Sequence, residues 1–204
     1  MAAIVLTALW IGGWVFTLLV VAAAVVMIRE WDGLTSQEKS FWKFAGVLYV
    51  SIPCASLIWL RNLTFADRSN GGMEVVLLVI LVVCATDIGA YFAGRRIGGP
   101  KMAPRISPNK TWAGLGGGVV GAAVAGGICS AFSPYPPSIF AGIDLGILLA
   151  LVSQGGDLFE SWLKRRVGAK DSGTLIPGHG GLLDRVDGMV FAFPLFAFLL
   201  HMSA

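Results

Sequence analysis

Six apolar stretches, roughly 3–28, 44–60, 74–94, 112–132, 138–156 and 188–203, alternate with polar connections along the chain. A helix crossing a ~30 Å hydrocarbon core needs about 20 mostly apolar residues. The pattern therefore predicts an all-α, polytopic integral membrane protein of about six transmembrane helices with polar loops. The first stretch is long enough to tilt or to break at Gly12-Gly13, and the last is the shortest. A secretory signal fits residues 1–28 poorly, because no cation precedes Arg29 and the apolar run exceeds the length of such a core. With no internal repeat and no Ser/Gly linker, residues 1–204 read as a single transmembrane domain.

Composition supports the pattern: 13% of residues are charged, about half the ~25% of soluble domains, and mean hydropathy is +0.77. Thirteen of the fifteen Lys and Arg fall in three segments: Arg29, Lys39 and Lys43; Arg95, Arg96, Lys101, Arg105 and Lys110; Lys164, Arg165, Arg166, Lys170 and Arg185. Six spans put all three segments on one face and the remaining Arg61 and Arg68 on the other. Because positive charge collects in the cytoplasm, the basic loops are expected there and both termini outside. Cys54, Cys84 and Cys129 sit in apolar runs without neighbouring His or Cys and read as small buried hydrophobes. Gly114, Gly116, Gly117, Gly118, Gly121, Gly126 and Gly127, among several alanines, mark the fourth span as a closely packed helix. Residues 133–138 read as an outside turn extended by prolines.

The chemistry concentrates in residues 157–188. Helical spacing places Asp157, Glu160, Ser161 and Lys164 on one face. A connection follows with Gly168, Gly173, Gly178, Gly180 and Gly181 among Lys170, Thr174 and His179. Glycines that let amides approach an anion, beside cations, form a phosphate-binding pattern. Asp184 and Asp187 come next. Paired aspartates with a third at Asp157 suit a hard divalent cation such as Mg²⁺, which takes one or two carboxylates and leaves room for water and phosphate. Taken alone, Asp184 is equally a helix cap, and 157–164 a solvated helix end.

A second patch lies upstream. Asp87 stands within an apolar run, where a carboxylate is costly unless paired or hydrated. Its candidate partners are Arg95, Lys110 or a metal ion, and a proton-relay or packing acid is the alternative. Ser107, Lys110 and Thr111 stand ahead of the fourth span, where amides and hydroxyls at a helix start would form an anion site. No Walker pattern is present.

Residues 161–187 read Ser-x2-Lys-Arg-x4-Lys-Asp-x5-Pro-Gly-His-Gly-Gly-x2-Asp-Arg-x-Asp. This resembles the signature of the phosphatidate cytidylyltransferase (CDP-diacylglycerol synthase) family. Thr86-Asp-x-Gly-Ala-Tyr91 and Ser107-Pro-Asn-Lys-Thr-Trp112 resemble that family's second patch. The resemblance covers roughly residues 84–194, the expected catalytic portion.

The resemblance implies an enzyme of the bacterial inner membrane, its active site on the cytoplasmic face, joining CTP and phosphatidate into CDP-diacylglycerol and pyrophosphate with Mg²⁺. It makes Asp157 and Asp184 the expected metal ligands with Asp187 close by. Lys164, Arg165, Lys170 and Arg185 are expected to contact phosphates. Asp171 and His179 belong to the same catalytic set, His179 as a donor to phosphate rather than a base. Asp87, Ser107, Asn109, Lys110, Thr111 and Ser161 are expected around the substrates. The resemblance leaves room for a homodimer and implies no nucleic-acid partner. Two departures stand out: family members usually begin with further apolar spans, where one precedes Arg29 here, and many carry an acid at the position of Ala113. A CDP-alcohol phosphotransferase is the nearest rival, since Asp184-x2-Asp187-Gly188 opens its motif, but Phe191 and Ala192 fill its Ala and Arg places. A transporter with Asp87 as coupling acid would show a repeat architecture, and would leave 157–188 unexplained.

Overall fold

The computed structural model describes residues 2–36, 38–65, 70–133, 135–173 and 180–203. Its helices are α1 (Ala2–Ile11), α2 (Gly13–Leu34), α3 (Ser40–Arg61), α4 (Gly71–Ile97), α5 (Trp112–Cys129), α6 (Ile139–Arg166) and α7 (Leu183–Ser203). All but α1 are long and apolar enough to cross a membrane. The protein is an all-α polytopic membrane protein, and the six expected spans are all present.

The first apolar stretch breaks at the expected place. Gly12 and Gly13 adopt φ of +69° and +53°, a region open to glycine at no steric cost. Arg61, at the end of α3, donates from Nε to Leu9 O at 2.7 Å and from Nη2 to Trp10 O at 3.3 Å. A cation on the last carbonyls of α1 satisfies acceptors that the helix leaves unpaired.

Two boundaries differ from the hydropathy pattern. α6 runs to Arg166 rather than 156, and α7 starts at Leu183 rather than 188. The charged residues at these ends pair with one another inside the bundle, so helix continues where hydropathy falls. Residues 101–111, read as loop and helix start, form a two-stranded antiparallel ribbon, β1 (Lys101–Ala103) with β2 (Ser107–Thr111). Ser107, Asn109, Lys110 and Thr111 therefore lie on a strand.

α4 is the central helix; Val75, Val76, Leu78, Val79, Val82 and Val83 form much of the main core with Phe193 and Phe196 of α7 and Leu149 of α6. Its most extensive contact is with α5. There Gly89 lies against the Gly117 carbonyl and Gly118 against the Thr86 carbonyl. Small residues allow this approach, which replaces the hydrophobic driving force that lipid cannot supply. The α5–α6 contact is similar, with Gly126 against Gly142 O and Gly146 against Ala122 O. A Cβ on Gly146 would penetrate the Ala122 carbonyl. Gly146→Leu should therefore cost about 1–3 kcal/mol or more, read as a lower thermal midpoint of the purified protein; an unchanged midpoint would show slack between the helices.

These contacts leave the three basic segments at one end of the bundle. Lys43 pairs with Asp32 there, Arg166 with Glu38, and Arg165 Nε reaches Ile106 O of the ribbon at 3.3 Å. Arg61 lies at the other end beside α1, as the charge map requires.

Candidate functional site

The polar end holds two adjoining clusters, both built on α6. The deeper one forms where α6 and α7 nearly touch. Gly156 faces the Asp187 carbonyl at a distance that leaves no room for a Cβ, and Gly188 faces Ser153. That approach sets Asp157 and Asp187, the neighbours of these glycines, at one level. Asp157 Oδ2 pairs with Lys110 Nζ of β2 at 2.5 Å, while Oδ1 accepts from Ser161 Oγ at 3.3 Å. Asp87 of α4 accepts from Gln154 Nε2 of α6 at 3.4 Å. Asp187 Oδ1 accepts from Gly188 N at 2.7 Å. Asp187 lies within electrostatic range of Asp87, Asp157 and Lys110. Three carboxylates from three helices thus lie within electrostatic range of one ammonium, which Asp157 pairs directly.

The second cluster lies nearer the end of the bundle. Lys164 is seven residues beyond Asp157, about 10 Å along the helix axis. Its Nζ lies 2.6 Å from Asp184 Oδ1 and 3.2 Å from Glu160 Oε1. Glu160 is 1% exposed, and its Oε2 has no hydrogen-bond partner among the described residues. Asp184 Oδ2 accepts from Ser172 N, Ser172 Oγ and Gly181 N at 2.8, 2.9 and 2.8 Å. Asp184 is thereby both the partner of Lys164 and the anchor of the connection before α7.

Behind the carboxylates stands an aromatic layer. Tyr49 of α3 lies with its ring centre 4.8 Å from Trp31, 5.5 Å from Phe159 and 6.0 Å from Phe191. Excluding water on that side strengthens every charge interaction in front of it. Arg166 stacks over Trp42 and Trp162 at 4.9 and 5.7 Å and pairs with Glu38, which fastens the end of α6 to the α2–α3 connection.

Of the expected residues, Asp87, Lys110, Asp157, Ser161 and Asp187 meet in the deeper cluster, and Lys164 and Asp184 in the second. Arg165, Lys170, Asp171 and Arg185 are exposed at the rim. Ser107 and Asn109 ride on β2, Asn109 exposed. Thr111 caps α5, its Oγ1 accepting from Gly114 N at 3.0 Å, so this hydroxyl holds the helix start. Arg95 donates to Tyr91 Oη at 2.6 Å, which leaves Lys110 as the cation beside Asp87. His179 lies outside the described residues. Gln154 and Glu30 were not anticipated; Glu160 was, by its helical spacing to Asp157 and Lys164, and it joins the second cluster.

The donor set is carboxylate oxygen, the choice of a hard divalent ion. Among the described residues no three His, Cys, Asp or Glu stand at coordinating spacing. Mg²⁺ does not require three, since it is commonly held by one or two carboxylates with water and phosphate completing its shell. Asp157 and Asp187, abreast on α6 and α7, fit that demand.

A family model described as the cytidylyltransferase family matches residues 35–203. The chain is 48% identical over 177 residues to a phosphatidate cytidylyltransferase of Brucella suis biovar 1 (strain 1330), covering 87% of this chain and 62% of that protein. It is 36% identical over 185 residues to one of Bacillus subtilis (strain 168), covering 91% and 66%. With one of Rickettsia bellii (strain RML369-C) the identity is 34% over 205 residues, covering 96% and 84%. The chain spans less than two thirds of the length of the Brucella suis protein.

Proposed function

The chain belongs to the cytidylyltransferase family, and from that premise we propose that it transfers CMP from CTP to phosphatidate, yielding CDP-diacylglycerol and pyrophosphate. The observation that carries the reading is the interleaving of Asp87, Asp157 and Asp187 with Lys110, beside the Lys164–Asp184 pair, at one end of an apolar bundle. A lipid phosphate rests at headgroup depth, and this end of the bundle is where a water-soluble triphosphate can reach it. The basic loops favour the cytoplasmic side, where CTP is available.

In this reaction a phosphatidate phosphate oxygen attacks the α-phosphorus of CTP. One P–O bond forms, the bond from the α-phosphorus to the bridging oxygen breaks, and the electron pair leaves on pyrophosphate. The nucleophile is already an anion, so no general base is required. The barrier comes from bringing anions together and from charge growing on the leaving group. Bound at Asp157 and Asp187, Mg²⁺ would neutralise phosphate charge and act as a Lewis acid toward the phosphoryl oxygens. Lys110 and Lys164 present fixed ammonium groups to the same anions, held in place by Asp157, Asp184 and Glu160 rather than by mobile water, which is what makes such charges effective. Asp184, whose Oδ1 is paired with Lys164, would contribute its negative charge beside the ion. The exposed Arg165, Lys170 and Arg185 draw the triphosphate toward the site over longer range.

The direct test supplies labelled CTP, phosphatidate and Mg²⁺ to the purified protein. Label entering the organic phase, dependent on both lipid and metal, is the expected result. Ligand flux into vesicles without a new lipid product would instead make the protein a transporter.

A further inference from the structure

We propose that Glu30, near the end of α2, is a positioning residue for the transfer reaction, holding the start of α7 and thereby the placement of Asp184 and Asp187. Its carboxylate spans two successive amides: Oε1 accepts from Leu182 N at 2.8 Å and Oε2 from Leu183 N at 2.9 Å. Oε2 also lies 3.5 Å from Ser172 Oγ, whose shorter contact is with Asp184. Glu30 and Asp184 together satisfy the amides of Ser172, Gly181, Leu182 and Leu183. A helix start leaves such donors unpaired, and an anion there is favoured by the helix dipole.

The fit is close on the backbone side as well. A Cβ on Gly181 would lie 2.7 Å from Glu30 Oε2, and one on Gly173 would lie 3.0 Å from Glu30 Cγ. Two glycines of the connection are thus shaped around this one carboxylate. Glu30 stands ahead of the residues matched by the family model, 35–203, and 152 residues before Leu182. It touches none of the groups assigned to CTP or phosphatidate. Its influence passes through the backbone to Asp184, one residue beyond Leu183, and to Asp187, one turn further.

The kinetic part of this proposal rests on the transfer reading; the structural part does not. The experiment compares the full chain with Glu30→Gln, which keeps length and shape but replaces one acceptor oxygen by a donor, and with Asp32→Asn, which removes a charge from the same helix end. Amide hydrogen exchange is followed at residues 181–184 alongside steady-state kinetics. In Glu30→Gln, exchange at Leu182 and Leu183 should accelerate about tenfold or more, as expected for lost hydrogen bonds to a charged acceptor, with α4 and α5 unchanged. The kcat should fall about tenfold to a hundredfold, the range for groups that orient a metal site from behind, while KM for CTP stays within about threefold. Asp32→Asn should change neither readout. Unaltered exchange at Leu182 and Leu183 would overturn the contact, and faster exchange with unaltered kcat would overturn the positioning role. If the wild-type protein forms no CTP-dependent lipid product, the transfer reading fails, and the exchange rates alone decide whether Glu30 holds α7.

Discussion

Asp157→Asn and Asp187→Asn are each expected to lower CTP-dependent product formation by about 10²–10³, the effect of removing one fixed charge-stabilising group from a phosphoryl or acyl transfer site. Each change keeps the side-chain shape and removes one negative charge from the cluster around Lys110. The two variants should also need more Mg²⁺ for half-maximal rate, because each removes one of two carboxylates available to the ion. Asp157→Asn carries a second consequence. Lys110 is 16% exposed at its side chain and would face an amide instead of an anion, so this variant should lose stability as well. Asp187, whose Oδ1 accepts from its own neighbour Gly188 N, should lose less stability when changed. A rate assay across Mg²⁺ concentrations, paired with thermal unfolding, separates the two. Full activity in either variant would remove that carboxylate from the metal site.

The spans and the clustering of basic segments could be read from the chain because both depend on local composition. Hydropathy over 20 residues marks a span irrespective of its neighbours, and Gly12-Gly13 marks a break through backbone freedom alone. The helix ends could not be read this way. Asp157, Glu160 and Lys164 look like a solvated helix end by polarity, yet Glu160 is 1% exposed because Lys164 and α7 cover it. The ribbon at 101–111 was hidden by Pro104 and Pro108, which mask strand alternation over so few residues. The family resemblance made Asp157 and Asp184 the expected metal ligands with Asp187 close by, but it could not show which partners each one holds in the packed bundle. Asp184 accepts from the amides of Ser172 and Gly181 and pairs with Lys164, whereas Asp157 and Asp187 stand deeper. Glu30 and Gln154 left no trace in the pattern, since each acts on a partner 67 or more residues away. Their roles arise only when the helices pack.

Lys164→Met should be the most destabilising single change at the site. The ammonium is the shared partner of Asp184 Oδ1 and Glu160 Oε1, with the three side chains 14%, 11% and 2% exposed. Removing one member of a buried charge set leaves the others uncompensated, at a cost of about 3–5 kcal/mol. Here two carboxylates are stranded together, and Glu160 Oε2 already lacks a hydrogen-bond partner among the described residues. Methionine fills nearly the same volume, so the loss reports charge rather than packing. The double variant Glu160→Gln with Lys164→Met should recover part of the stability, because one stranded anion is then gone. Little CTP-dependent activity should return with it, since the ammonium facing the phosphates is still missing. Thermal unfolding of the purified proteins measures the first effect and product formation the second. A Lys164→Met protein as stable as the wild type would mean that water reaches Glu160 freely, and the buried character of this cluster would have to be abandoned.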